Sequence, residues 1–489
     1  MNATIRTLRL IARAFFRRIE VTGLENVPAT GGGLLISWHP NAMVDAGLIL
    51  TRFPRRIVFG ARHGLFEWPV LGRLMRHLGT VPIYREQDQG AGRLDAERQA
   101  ANTQSLDALA REVADGSFAA LFPEGISHDE PFPQELKTGA ARLFYRACEL
   151  TSEGSLKPVV IPVGLHYDQK SVFGSNALVA FHPPLQLDSE LATPPPPGAS
   201  YEESRGKYRR LTSEFERALH DVVHATESWE LHHLLHRGRK LVRAERARRA
   251  GKTLNRPNME ERQLGFARLW EGYHTLVRTQ PQKVHELFLR VQDYDRDLRA
   301  LGLQDHDLDG VPHLRSLRVA ATLTSQWALA YLFLPPILMV GYVANVPTAL
   351  LVTAIAKAAS KASKDEASMK LLVGAVAFPL TWLLIALLVG GGVAVLHRLY
   401  PTIPNAPFLT GLVAFALSAL CGIVALHYLR LVRKTYRSIG VTLTRARRAH
   451  AIQRLRGQRS ELYDAMVALA EGLDLPGMVA TDGRVGSLN

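Results

Sequence analysis

Cysteine is nearly absent from this chain of 489 residues: only Cys148 and Cys421 occur, the second inside an apolar run. That excludes a disulfide framework and a cysteine metal site, and it leaves the catalytic part expected in a reducing compartment. No G-x-S-x-G elbow is present, so a serine nucleophile of the hydrolase kind is not expected. Acidic residues fall short of basic ones, 45 against 59, giving a net charge of +14 and a pI near 9.9. The excess points to an anionic partner, nucleic acid or anionic lipid. No recognised nucleic-acid motif accompanies it, and no nucleic acid is expected. Metal patterns also stop short. Asp305, Asp307, Asp309 and Gly310 match the first half of a calcium loop, but Ser316 stands where the bidentate glutamate belongs. His232, His233 and His236 share a helical stretch without the Glu of H-E-x-x-H and read as surface histidines.

What the chain does have is organised around Leu34 to Asp45, LLISWHPNAMVD. A short apolar run after three glycines predicts a buried strand, and His-Pro-Asn predicts the turn where a helix begins, with Pro40 suited to a first helical position. His39 then stands at a strand end, where open α/β sheets place their ligands. Six residues turn a helix by about 240°, so His39 and Asp45 pair only if the histidine lies in the turn and the aspartate in the helix beneath it. So paired, the carboxylate fixes one ring nitrogen and leaves the other to take a proton from a hydroxyl. The competing reading is a helix-start histidine beside an unrelated surface aspartate.

Further strands are predicted at Arg55–Gly60, Gly79–Arg85, Ser117–Phe122 and Pro158–Leu165, with helices between them. Arg85 closes one strand with a guanidinium of the right fork for phosphate or carboxylate. Ser117–Phe122 opens directly into Pro123, Glu124, Gly125, Ile126, Ser127 and His128. A glycine turn lets backbone approach a ligand, and Glu124 beside it offers a partner for an acceptor hydroxyl. Lys137 and Arg142 add positive charge further on. Apolar strands alternating with helices, with polar side chains gathered at strand ends, predict an α/β fold: a central sheet flanked by helices over residues 20–190.

In order and spacing, His39–Asp45, Gly79–Arg85, Phe122–Ser127 and Val160–Gly164 resemble the four motif blocks of the PlsC-type glycerophosphate and lysophosphatidate acyltransferases. The resemblance covers roughly residues 20–185. It implies that His39 is the general base, that Asp45 orients it, that Arg85 holds the acceptor phosphate and that Glu124 and Gly125 line the acceptor site. It also places Pro162 in the last motif's strand. Two departures stand out. Five residues separate His39 from Asp45 instead of four, a form with Asn41 that resembles bacterial and fungal glycerol-3-phosphate acyltransferase-like proteins. After FPEG come Ile126, Ser127, His128 and Asp129, resembling the FPEGxSHD version of fungal enzymes and leaving open whether His128 and Lys137 help bind phosphate. The activity implied is transfer of a fatty acyl group from an acyl thioester, acyl-CoA or acyl carrier protein, to glycerol-3-phosphate or 1-acylglycerol-3-phosphate. No cofactor beyond that donor is implied. The alternatives are another lysophospholipid acceptor, or an inactive lipid-binding scaffold on the same fold.

The ends of the chain speak of membranes. Residues 1–19 carry arginines at 6, 9, 13, 17 and 18, which argue against a cleaved signal. Ile5, Leu8, Ala12, Phe15, Phe16 and Ile19 share one arc, as in a helix lying in a membrane interface or packed on its own domain. Pro194–Pro197 is expected to mark the end of the α/β domain, followed by a helical basic region, 191–315. Within it, Arg237–Lys252 has eight Lys or Arg against one Glu, a helix for anionic headgroups or a solvated face. Leu371–Leu396 and Phe408–Leu429 run for 26 and 22 residues without a formal charge, each enough to span about 30 Å of hydrocarbon. Val319–Ile355, interrupted by Pro335-Pro336, is expected to enter and return as a hairpin within a transmembrane domain, 316–430. That even number of passes keeps Lys357, Lys361, Lys364, Lys370 and a basic tail, 431–489, on the cytoplasmic side of a bacterial inner membrane.

Overall fold

The computed structural model describes residues 3–84, 95–196, 198–252, 256–309, 321, 324–325, 327–359, 363–480 and 484–486. The chain divides into two compact units. One comprises Met1–His232, Asn258–Gln263 and Ala362–Ser368; the other His233–Pro257, Leu264–Lys361 and Met369–Asn489.

The first unit is built on a seven-stranded sheet. In chain order its elements are α1 (Ala3–Phe15), β1 (Arg18–Thr22), β2 (Gly33–Ser37), α2 (Met43–Arg52), β3 (Ile57–Arg62), α3 (Pro69–His77), β4 (Val81–Ile83), α4 (Asp95–Ala114), β5 (Phe118–Leu121), α5 (Gly139–Leu150), β6 (Val159–Tyr167), β7 (Asn176–Phe181), a short α6 (Ser189–Ala192) and α7 (Tyr201–Val223). The sheet order is β1-β7-β6-β2-β5-β3-β4. Neighbours are parallel except β6 and β7. Helices cover the central strands, which explains why β2 is buried at every residue and reads as an unbroken apolar run. Pro162 fits a central strand because its carbonyl accepts from His182 N (3.0 Å), just past the end of β7. A residue's N–H and C=O point to the same side of a strand, so the missing donor falls where pairing with β7 stops.

Three expectations are corrected here. Residues 1–19 do not form one interfacial helix: α1 ends at Phe15, and Ile19 and Val21 lie in β1, paired with β7. The end of α1 turns inward, with Ala12 and Phe15 buried and Phe16 buried just beyond it. Pro40 is not a first helical residue, since α2 begins only at Met43. The proline run is a connector rather than a boundary. Past it, Ser200 caps α7 in a reciprocal box with Glu203, and Leu211, Phe215 and Leu219 enter the same core as Leu34, Leu109, Phe144 and Val160.

The second unit is mainly helical, with one two-stranded ribbon pairing Met478–Val479 with Val485–Gly486. Pro281–Ala300 packs against Ala449–Leu469, sharing a core of Leu241, Val291, Tyr294, Leu298, Leu303, Leu308, Ile452, Leu455 and Leu462. Residues 449–469 are therefore a packed helix and not a free tail. Arg459, with no exposed surface, bonds Glu245 (3.0 Å), the Asp305 carbonyl (2.8 Å) and Asp309 (2.5 Å). The half calcium loop is spent on arginines: Asp305 meets Arg237, Asp307 meets Arg437 and Asp309 meets Arg459. The basic stretch at 237–252 is likewise no bare headgroup-binding face, with Arg237 and Arg239 buried and Arg248 and Arg249 held by Glu245.

Among the described residues three helices are long and apolar enough to cross a membrane, by windows at Gly341–Ala358, Ser368–Leu399 and Pro407–Ala425. The expected hairpin over 319–355 begins outside the described residues, and its expected reversal at Pro335-Pro336 is absent from the described part. From Trp327 to Ala359 the chain is continuously helical, and a π-helical turn at Leu329–Phe333 precedes Pro335 and Pro336. A π turn shifts the carbonyls that two prolines leave without donors, so the helix continues instead of reversing. Asn345 joins all three helices, giving Nδ2 to the Ser418 carbonyl (3.0 Å) and taking Trp382 Nε1 on Oδ1 (2.9 Å). A Cβ on Gly411 would lie 2.9 Å from the Ala386 carbonyl oxygen, so it is glycine that allows this approach.

Candidate active site

The site forms where β2 and β5 end. Ser37 Oγ donates to the Val163 carbonyl (2.8 Å) and Trp38 Nε1 to that of Leu165 (3.0 Å), so the chain leaving β2 is fastened to β6. His39 follows in the turn and Asp45 in the first turn of α2. Their side chains meet, Nδ1 to Oδ2 at 3.0 Å, with Asp45 wholly buried and the His39 side chain 19% exposed. Ala42 makes the geometry possible at a cost. Its φ of 45° and ψ of −128° lie where a side chain is strained, a conformation costing about 1–3 kcal/mol. The ring of His39 lies on Phe122, from the end of β5, with centroids 3.9 Å apart and planes 15° apart.

An anionic partner on Nδ1 favours the proton there, leaving Nε2 as the basic nitrogen. Asp45 is held as well. Oδ2 accepts the Asn41 amide (2.7 Å) and Oδ1 the Tyr167 hydroxyl (2.5 Å). Burial and then the charge of Asp45 raise Tyr167 well above the usual phenol range.

Glu124 is a structural hub. Oε2 accepts the His39 amide and Oε1 the Gln134 amide, both at 3.2 Å, and Oε2 lies 3.1 Å from His128 Nε2. That last contact is electrostatic rather than an aligned hydrogen bond. His128 Nδ1 accepts the Glu130 amide (3.2 Å), which leaves its proton on Nε2, facing Glu124. Gly125 takes a φ of 70° in the turn, and its amide donates to the Phe122 carbonyl (3.0 Å). The His128 amide donates to the His39 carbonyl (3.2 Å), tying the FPEG loop to the histidine turn.

The sequence-predicted residues thus divide. His39, Asn41, Asp45, Glu124 and His128 come together; Gly125 and Ser127 lie in the same loop. Lys137 joins through its backbone, donating to the Pro123 carbonyl (2.8 Å), while its side chain is exposed. Arg85 lies outside the described residues. The adjacent Tyr84 stacks on His63 (4.4 Å) and is bracketed by the Asn102 amide. Two residues went unrecognised in the sequence, Tyr167 and Lys170. Lys170 Nζ donates to the Pro40 carbonyl (2.7 Å) and pairs with Asp129. Ser368 Oγ also reaches the turn, at the Asn41 carbonyl (3.3 Å). Among the described residues no group of three or more His, Cys, Asp and Glu has the arrangement of a metal site.

Residues 18–166 match the family described as Acyltransferase, and residues 253–475 match the glycerol-3-phosphate acyltransferase 2 C-terminal domain. Glycerol-3-phosphate O-acyltransferase 2 of Saccharomyces cerevisiae is 26% identical over 208 residues, covering 42% of this chain and 26% of its own length. An uncharacterised acyltransferase of Schizosaccharomyces pombe is 22% identical over 263 residues, covering 37% of this chain and 38% of its own. The chain thus spans between a quarter and two-fifths of the curated relatives it matches. The crystal structure of PlsC, the 1-acyl-sn-glycerophosphate acyltransferase of Thermotoga maritima, covers 44% of this chain and 82% of its own at 18% identity, with a TM-score of 0.28.

Proposed function

We propose that this chain, whose residues 18–166 match the acyltransferase family, is a membrane O-acyltransferase of phospholipid synthesis. It moves a fatty acyl group from an acyl thioester to a hydroxyl of glycerol-3-phosphate or 1-acylglycerol-3-phosphate. The observation that carries this reading is the buried His39–Asp45 pair at the mouth of the sheet.

The chemistry follows from the pair. His39 Nε2 removes the proton of the acceptor hydroxyl as its oxygen attacks the thioester carbonyl carbon. The carbon–sulfur bond breaks, the imidazolium returns the proton to the leaving thiolate, and an ester and a free thiol result. Asp45 stabilises the imidazolium formed in between. Acyl-CoA or acyl carrier protein serves as donor, and the reaction needs no other cofactor. Glu124 organises the turn and lines the acceptor side with Gly125 and Ser127. Asn41 holds the histidine turn in shape, Arg85 and the exposed Lys137 supply positive charge for the acceptor phosphate, and the neutral His128 ring backs Glu124. The three apolar helices support membrane association. The basic excess supports anionic lipid as the surface met and the cytoplasmic face of a bacterial inner membrane as the location.

The test is acyl transfer by purified full chain in lipid nanodiscs, with labelled palmitoyl-CoA and glycerol-3-phosphate, lysophosphatidate or other lysophospholipids in parallel. We expect transfer to one acceptor, reduced about a thousandfold in His39→Ala, as for loss of a general base. Folded protein inactive with every acceptor, and with acyl carrier protein donors too, would mean a lipid-binding scaffold instead.

A further inference from the structure

Asp45 is enclosed by three donors that divide unequally. The His39 ring and the Asn41 amide share Oδ2, at 3.0 and 2.7 Å, while Oδ1 receives Tyr167 at 2.5 Å. Tyr167 is the last residue of β6, paired across to Ala177 of β7, and its ring lies 5.9 Å from that of Phe16. The phenol is therefore carried by strand and core, and the Asn41 side chain of the histidine loop bonds it as well. Other polar groups close to the pair are engaged elsewhere. Glu124 takes the His39 amide and stands against His128, Lys170 is bound to the Pro40 carbonyl and Asp129, and Ser368 reaches the Asn41 carbonyl. Among the described residues none of these bonds the Asp45 carboxylate, and the Phe122 ring covers the imidazole.

We propose that Tyr167 is a positioning residue of the acyl transfer, its hydroxyl drawing charge from Oδ1 of Asp45 and so setting the orientation of His39 and the basicity of its Nε2. This rests on His39 acting as the base described above. A carboxylate that gives charge to a short hydrogen bond on one oxygen holds an imidazolium less tightly on the other. Tyr167 remains a donor wherever an imidazole titrates, because burial and the neighbouring carboxylate keep its proton on and outweigh the opposing hydrogen bond from Asn41. The fold thus tempers the base from a different strand than the one that presents it.

The experiment is the pH dependence of kcat/KM for the full chain in nanodiscs, with palmitoyl-CoA and either glycerol-3-phosphate or 1-oleoyl lysophosphatidate. Wild type is compared with Tyr167→Phe and with Tyr167→3,5-difluorotyrosine. Without the hydroxyl the acidic limb moves to higher pH by roughly half a unit to one unit. There kcat falls severalfold, while KM for the thioester stays within about twofold. The fluorinated ring keeps the hydroxyl and makes it a stronger donor, so its acidic limb moves the other way. That arm reads out even if the phenylalanine variant does not fold. Limbs that stay in place in both variants, with activity merely following thermal stability, leave Tyr167 a packing residue and overturn the proposal. A wild-type protein silent with every acceptor removes the parent reading and this one together; active wild type with unmoved limbs removes only this one.

Discussion

Three histidines of the α/β unit share a buried neighbourhood with no part in the proposed chemistry. His166 on β6, His182 after β7 and His224 at the end of α7 are each pushed down by burial, the last two to about 4. Neighbouring histidines add to the effect, and Gln263 bonds His224 Nδ1 (2.8 Å). These rings stay neutral in the folded protein, while the unfolded chain binds protons from about pH 6.5 downward. Their contribution is therefore whole above pH 6.5 and is lost as pH falls toward 4. Thermal unfolding of the full chain followed from pH 7.5 to 4.5 is expected to show a falling midpoint, and His182→Gln to flatten that fall. A slope untouched by the substitution would assign the acid sensitivity to other groups. These residues also mark what sequence can reveal. His39 and Asp45 were legible because a strand end, a turn and a helix start follow one another within twelve residues. Tyr167 lies 122 residues from Asp45, and only the pairing of β6 beside β2 brings it there. The polar run after Leu165 was the available hint.

Among the elements, α7 shows how a boundary can be misread. Four prolines after α6 exclude helix and central strand locally, yet they say nothing of whether the chain beyond returns to the same core. It does return, since Leu211, Phe215 and Leu219 recur at helical spacing and are fully buried with the sheet helices. Replacing Phe215 by alanine is expected to cost about 3–5 kcal/mol, a core loss of ordinary size for an aromatic side chain. Chemical denaturation of the α/β unit's tryptophan signal gives the number; a change below about 1 kcal/mol would place α7 outside that cooperative core. β1 was hidden for the opposite reason. Ile19 continues the apolar arc of α1 in projection, but it is the alternation through Val21 and the pairing with β7 that fix its state. The central strands needed no such context, because burial on both faces writes itself as an uninterrupted apolar run.

For the molecule as a whole, the packing of Pro281–Ala300 against Ala449–Leu469 carries a consequence of parity. Both helices, with Arg459 bonded to Asp309, belong to one folded body, and a body bathed in water lies on one side of a bilayer. A chain that leaves such a body and rejoins it must cross an even number of times, however many apolar helices it passes through. Among the described residues three helices between Asp309 and Ala449 are long and apolar enough to cross, so a common side for both flanks is expected only if these three are not the whole set of equivalent crossings. Single cysteines at Arg296 and Glu461, placed in a chain whose own Cys148 and Cys421 are replaced by serine, are expected to react from the same side of sealed vesicles. Labelling from opposite sides would break the helical body apart. With both cysteines labelled from one side, the basic residues on either flank of the spans share a compartment, and the membrane potential and the folded core then pull the chain toward the same orientation.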